Sequence, residues 1–323
     1  MPISSLINSR TINAVKWISA VGIILSVAAA GCAKPLSNAT NNSNHKQSHP
    51  PSIVTVPIQT VTTSDGTVSY RSVGNGPTIL MIMGYSSSMD GWPSSLVDPL
   101  ASTHRVITFD NAGIGQTTMP AGTLTISSMA QQTDAFIHAL HLGEPAVLGW
   151  SMGGMIAQAL TVLHPSDVSK LILCATLPGN GKGTPPAASA VAALSNPGVG
   201  SAATLLGLLF PADQQSTQIP LFTSEISKYP NFYLAPSSVD SEQLTALANW
   251  YSGNDPAGIK IGDISVPTLI GDGADDILIP AANDTVLHQV IRHSSLVMYP
   301  DAGHGFVFQD AKDWTARIEK FLG

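Results

Sequence analysis

Gly149-Trp150-Ser151-Met152-Gly153-Gly154 is the segment whose residue types and spacing speak most directly of chemistry. A serine hydroxyl is a weak nucleophile at neutral pH and needs a base beside it. The apolar run Ala146-Val147-Leu148 ahead of Ser151 reads as a strand, and Met155-Ile156-Ala157-Gln158-Ala159-Leu160 behind it reads as a helix. G-x-S-x-G set between a strand and a helix is the context of a nucleophile elbow. The flanking glycines leave room for strand and helix to approach, and the helix N-terminus adds a field that favours a developing negative charge. Such a serine needs a histidine and a carboxylate from elsewhere. Gly271-Asp272-Gly273-Ala274-Asp275-Asp276-Ile277-Leu278-Ile279-Pro280 offers three carboxylates after a strand-like run, and Tyr299-Pro300-Asp301-Ala302-Gly303-His304-Gly305-Phe306 offers a histidine between glycines. His138, His141, His164, His288 and His293 read as ordinary surface or helix-end residues, and His45 and His49 fall in a polar tail.

The elements that must position these groups alternate along the chain. Ile53–Thr62 and Val68–Val73 read as early strands around an Asp65-Gly66 turn. Thr78–Met83, Arg105–Phe109, Ala146–Gly149, Lys170–Cys174, Thr268–Gly271 and Ser295–Tyr299 read as short apolar strands. Helical periodicity covers Ser127–Leu140, Met152–Leu163 and Asp310–Leu322. Short apolar strands alternating with helices predict an α/β fold, with a mostly parallel sheet flanked by helices. The stretch 177–264, rich in Pro, Gly, Ala and Ser, breaks the rhythm but holds helical pieces at Ala187–Leu194, Ala202–Leu209 and Ser241–Tyr251. It reads as a helical lid inserted between two strands, since structureless loops of that length are uncommon. The core is then 53–176 with 265–323.

Composition narrows the classes. The chain has 323 residues, 44% hydrophobic and only 11% charged, where about 25% charged is usual. A formal charge of −7 and the lack of any Lys/Arg run argue against nucleic-acid binding. Two cysteines, Cys32 and Cys174, are too few for a disulfide framework, and Cys174 lies in the apolar run Leu171-Ile172-Leu173-Cys174, as a buried inert thiol would.

The first 31 residues read as an address. Arg10 and Lys16 precede an uncharged, mostly apolar stretch from Trp17 to Gly31, short for a membrane span and suited to a signal-peptide core. Its end, Ala29-Ala30-Gly31-Cys32, resembles the lipobox of bacterial lipoproteins, with Ala29 where Leu is usual. The resemblance implies cleavage before Cys32 and lipid attachment to its sulfur, hence an exported protein anchored to a bacterial cell membrane; an ordinary secretory signal is the alternative. Residues 32–52, rich in Ser, Asn, Pro and His, read as a disordered tether.

From the elbow onward the chain resembles the α/β-hydrolase superfamily, in its lidded serine esterase and non-haem haloperoxidase-like branch. Four landmarks carry the resemblance in order: Met81-Ile82-Met83-Gly84-Tyr85, Phe109-Asp110-Asn111-Ala112-Gly113-Ile114-Gly115-Gln116-Thr117, the elbow, and the two C-terminal segments. It implies Ser151 as nucleophile, His304 as base, and Asp276 as the acid, four residues before Pro280; Asp275 is the rival and Asp272 a weaker one. It implies backbone N–H groups of Tyr85 and Met152 as the oxyanion hole, although Met83 replaces the frequent His. Ala112 and Thr117 stand where Arg and Ser are usual, and Asp110 is read as structural. The order Ser, Asp, His is the superfamily's. The activity implied is cleavage of a small or medium apolar carboxylic ester through an acyl-enzyme, with no cofactor and no metal. Perhydrolysis, lactone cleavage and C–C bond hydrolysis use the same triad, and a non-catalytic ligand-binding lipoprotein is the reading from another class. The lid is low in charge and carries Leu205, Leu206, Leu208, Leu209, Phe210, Phe222, Phe232 and Trp250, which suit an apolar substrate or simply pack the lid; Trp150 either lines the pocket or packs on the sheet.

Overall fold

A computed structural model of the chain describes residues 51–190 and 206–323. The leader, Cys32 and all but the last two residues of the expected tether lie outside them. So do residues 191–205, which include Leu205 and parts of the helices expected at Ala187–Leu194 and Ala202–Leu209.

Eight strands form one sheet: β1 (Gln59–Thr63), β2 (Gly66–Val73), β3 (Thr78–Ile82), β4 (Arg105–Phe109), β5 (Ala146–Trp150), β6 (Lys170–Cys174), β7 (Thr268–Gly273) and β8 (Ser294–Tyr299). Their order is β1-β2-β4-β3-β5-β6-β7-β8. β1 and β2 form an antiparallel hairpin, β2 is antiparallel to β4, and every other pairing is parallel. The helices with bounds wholly inside the described residues are α1 (Ser94–Leu100), α2 (Ile126–Ala139), α3 (Met152–Leu163), α4 (Gln215–Ile226), α5 (Ser237–Tyr251), α6 (Ala282–Val290), α7 (Phe306–Gln309) and α8 (Ala311–Leu322).

The apolar runs follow from burial on both faces. Successive side chains of a strand point to opposite sides. Leu80, Ile82, Val147, Leu171 and Leu173 therefore pack with Phe136 of α2 and Ile156 of α3. Ile79, Met81, Leu148 and Ile172 pack with Leu96 of α1 and Trp314 of α8. The central strands β3, β5 and β6 are nearly continuous apolar sequence because they feed two cores.

One expected strand is shorter than its pattern. Ile53 and Val56 are apolar and buried, yet β1 begins only at Gln59. Pro57 has no N–H to give a ladder, and the segment is tied to α1 instead: Ser52 Oγ and Ile53 N donate to the Asp98 carboxylate at 2.6 and 2.8 Å.

Parallel strands all point their C-terminal ends one way. The loops after β3, β5, β7 and β8 therefore meet on one edge, and the helices that return beneath them end at the other. Between β6 and β7, α4 and α5 lie on the loop edge. A bridge pairs Ser87, after β3, with Leu234.

Candidate active site

Ser151 sits at the turn from β5 into α3 with φ 57 and ψ −122. A side chain is strained in that region and persists only where its surroundings hold it. Here Ser151 N donates to Cys174 O at 2.9 Å, and Thr176 Oγ1 donates to Ser151 O at 2.8 Å. The neighbouring glycines are required by space: a Cβ on Gly149 would lie 2.3 Å from Gly153 O, and one on Gly153 would lie 2.0 Å from Ile82 O.

The loops after β7 and β8 supply the other two groups. His304 Nδ1 lies 2.7 Å from Asp276 Oδ2, with both residues buried. Asp276 Oδ1 accepts from Leu278 N at 2.7 Å and Ile279 N at 2.8 Å. The two carboxylate oxygens thus have separate tasks, one anchoring the side chain and one facing the imidazole. Asp275 is exposed. Asp272 turns into the interior toward Asp284 of α6, and burial raises both of these carboxyls well above the ordinary range; the charges of Asp284 and Asp276 add to the rise at Asp272, and that of Asp276 to the rise at Asp284.

Trp150 takes both of its alternatives at once. Its ring borders the cavity in front of Ser151 and packs against Trp92, Phe308 and the His304 ring. Its indole N–H also donates to His304 O at 3.0 Å, so the residue before the serine holds the backbone of the histidine loop.

Ser151 and His304 open onto a cavity of about 210 Å³. Leu177, Leu206, Leu208, Phe222, Leu244 and Leu247 are among its apolar walls. Tyr85 lines the cavity beside Ser151. Met152 is the first residue of α3, where backbone N–H groups lack partners within the helix. The Tyr85 phenol is pushed up by burial and then by the Asp240 charge. The turn that carries Tyr85 has support that sequence did not signal: Asn111 Nδ2 donates to Met83 O at 2.8 Å. The region between β6 and β7 fixes the same turn, through Gln243 Oε1 accepting from Ser86 N, Ser86 O accepting from Ala235 N, and Tyr233 O accepting from Ser88 N. Asp110 plays the structural part expected of it, accepting from Met89 N, Ser69 Oγ and the Tyr233 hydroxyl; burial raises its carboxyl despite these donors.

Residues 77–311 match the sequence model described as alpha/beta hydrolase fold. The chain belongs to the α/β hydrolase fold family. It is 26% identical to a non-heme haloperoxidase of Rhodococcus erythropolis over 282 residues, spanning 81% of this chain and 98% of that protein. It is 23% identical to a pimeloyl-[acyl-carrier protein] methyl ester esterase of Nitrosomonas europaea, spanning 73% and 92%. Among solved structures, an α/β hydrolase fold protein of Chitinophaga pinensis superposes with TM-score 0.72 at 22% identity, over 84% of this chain and 99% of that one. This α/β hydrolase is therefore similar to hydrolases along most of its length.

Three residues that sequence reasoning passed over now have positions. Asn111, Gln243 and Tyr233 brace the turn of Tyr85 from outside, and each reaches its partner across more than 25 residues of chain. Nothing local in the sequence marks such long-range braces. Among the described residues, a group of side chains able to hold a metal ion lies away from this cavity, at the opposite edge of the sheet.

Proposed function

We propose that this α/β hydrolase cleaves small or medium carboxylic esters with apolar acyl or alcohol groups, using Ser151, His304 and Asp276. The observation that carries the reading is the strained elbow serine and the carboxylate-bonded histidine opening on one apolar cavity. In this mechanism Ser151 Oγ attacks the ester carbonyl while His304 Nε2 takes its proton. Asp276 holds the imidazole in the tautomer with hydrogen on Nδ1 and stabilises the imidazolium. The carbonyl oxygen becomes an oxyanion and draws on the amides of Tyr85 and Met152, where one such donor is worth about 3–4 kcal/mol in the transition state. Collapse expels the alcohol with the proton from His304, and water attacks the acyl-enzyme by the same route in reverse. The region 177–264 acts as the lid that sets the cavity's apolar walls.

The test compares wild type with Ser151→Ala on p-nitrophenyl esters of increasing chain length, alongside fluorophosphonate labelling. Wild type alone should turn over and label. Equal turnover in both proteins sinks the serine mechanism, and failure of folded wild type to label favours a non-catalytic binder. We further propose, from Ala29-Ala30-Gly31-Cys32 alone, that the enzyme is exported and anchored through lipid on Cys32. Cys32→Ser should then release it from membranes; a variant that stays bound and is still cleaved refutes the anchor.

A further inference from the structure

The edge of the sheet opposite the cavity gathers a second set of side chains. α2 ends there, and α3 returns there to the short turn Pro165–Asp167. Asp134 and His138 lie one helical turn apart on α2, hence on one face. His164 follows α3, and Asp167 ends the turn. His138 Nε2 is 3.3 Å from Asp134 Oδ1 and 3.5 Å from Asp167 Oδ2. One donor atom from each of these three residues lies within 4.8 Å of the other two. His164 Nδ1 also lies 3.4 Å from Asp134 Oδ1.

Ordinary ion pairing accounts poorly for this arrangement. Asp134 Oδ1 is buried and accepts no hydrogen bond, although two imidazole nitrogens stand 3.3 and 3.4 Å away. An imidazolium paired with a carboxylate aims its N–H along the contact, and neither ring does so. Among the described residues, no Lys or Arg pairs with Asp134 or Asp167. Two neighbouring carboxylates thus stand together with no Lys or Arg paired to either, and the imidazole of His138 faces both. Donor atoms behave this way around a shared ion. In a tetrahedral zinc site with bonds of about 2.0–2.1 Å, adjacent donors stand about 3.3–3.4 Å apart. The contacts of 3.3 and 3.5 Å lie near that spacing.

We propose that His138 Nε2, Asp134 Oδ1 and Asp167 Oδ2 form a binding site for a divalent transition metal, with zinc the best match, and that His164 steadies Asp134 beside it. One imidazole with two carboxylates suits zinc better than calcium or magnesium, which take oxygen ligands alone. Three protein donors leave a fourth position for water. The ion clamps the last turn of α2 to the turn between α3 and β6. It lies at the far edge of the sheet from Ser151, so it stabilises the fold by binding the native state and takes no part in the reaction.

The full chain, stripped with a chelator, is titrated with zinc chloride by calorimetry. Melting temperature and p-nitrophenyl acetate hydrolysis are followed in parallel. His45, His49 and His304 are competing zinc donors, so the assignment rests on His138→Ala and Asp167→Asn. The His138 side chain is 66% exposed, and its removal leaves the core untouched. Wild type should bind one equivalent with a rise in melting temperature and an unchanged hydrolytic rate. Each variant should bind about tenfold more weakly or worse and lose the thermal shift. No thermal shift in wild type overturns the proposal, as does zinc affinity in both variants equal to wild type. Hydrolysis falling in step with occupancy locates the ion at His304 and overturns it as well.

Discussion

Asp276→Asn is the most discriminating change available at the cavity, because the structure dictates which way the new amide must point. Oδ1 of Asp276 accepts two backbone N–H groups, from Leu278 and Ile279, at 2.7 and 2.8 Å. An asparagine placed here keeps its carbonyl oxygen on those two donors, since turning it over would set an NH₂ against two N–H groups. The NH₂ then faces His304 Nδ1, which the carboxylate faced at 2.7 Å. Nδ1 must become an acceptor, so the ring hydrogen moves to Nε2, and the nitrogen that should receive the Ser151 proton already carries one. In Ser-His-Asp hydrolysis the wrong tautomer costs about 10⁴ in turnover, or about 5.4 kcal/mol at 1.36 kcal/mol per tenfold. The loop's hydrogen bonds survive, so thermal stability should change little. Steady-state kinetics on a p-nitrophenyl ester, with a melting curve as control, measure both quantities. A kcat/KM within tenfold of wild type would refute the role of Asp276, and a large loss in Asp275→Asn, whose side chain is exposed, would pass that role to its neighbour.

Other perturbations follow from the same geometry. Gly153→Ala should destabilise the fold by more than about 2 kcal/mol, because its Cβ would stand 2.0 Å from Ile82 O; a urea midpoint equal to wild type contradicts the close approach. Trp150→Phe leaves the His304 carbonyl without its indole donor at 3.0 Å and should cost about 1–3 kcal/mol of stability, read from the same denaturation curves, with a matching loss of kcat if the histidine loop shifts. The buried Asp272–Asp284 pair makes stability depend on pH. Burial raises both carboxyls above 3.8, so the folded chain holds protons that the unfolded chain releases. Their contribution is therefore fully present below the ordinary aspartate range and is lost as pH rises through the raised folded values. Asp272→Asn should flatten that decline and gain stability relative to wild type as pH goes from 4 to 8; identical pH profiles of the melting temperature would refute the raised carboxyls.

The sheet was largely legible because most of its strands carry their own signal. Arg105–Phe109 and Lys170–Cys174 coincide with their apolar runs, since strands buried on both faces tolerate little else. α3 was equally readable, from the elbow to Leu163. Helices that depend on tertiary packing were not. α1 contains Pro99 and α4 contains Pro220, which local propensity counts against a helix. The first turn of α6 holds Asn283 and Asp284, polar residues that are buried, a placement that no periodicity announces. At the site, the types Ser, Asp and His and their order could be read locally, whereas the choice between Asp275 and Asp276 could only be guessed by resemblance and now has a geometry. The cluster of Asp134, His138 and Asp167 was invisible for a different reason. Its members are ordinary surface types, and only the return of two helices to one edge brings them within reach of a single ion.

The turn of Tyr85 is stitched to the region between β6 and β7 through Ser86, Ser88, Ala235, Tyr233 and Gln243. The part of the molecule that walls the cavity in front of Ser151 and the turn that carries the proposed oxyanion amide of Tyr85 are consequently one mechanical unit. Exchanging that region for one from a relative, the usual route to a new substrate range, would here detune the rate along with the selectivity. A productive chimera would have to carry 233–243 and its seam with 86–88 across together.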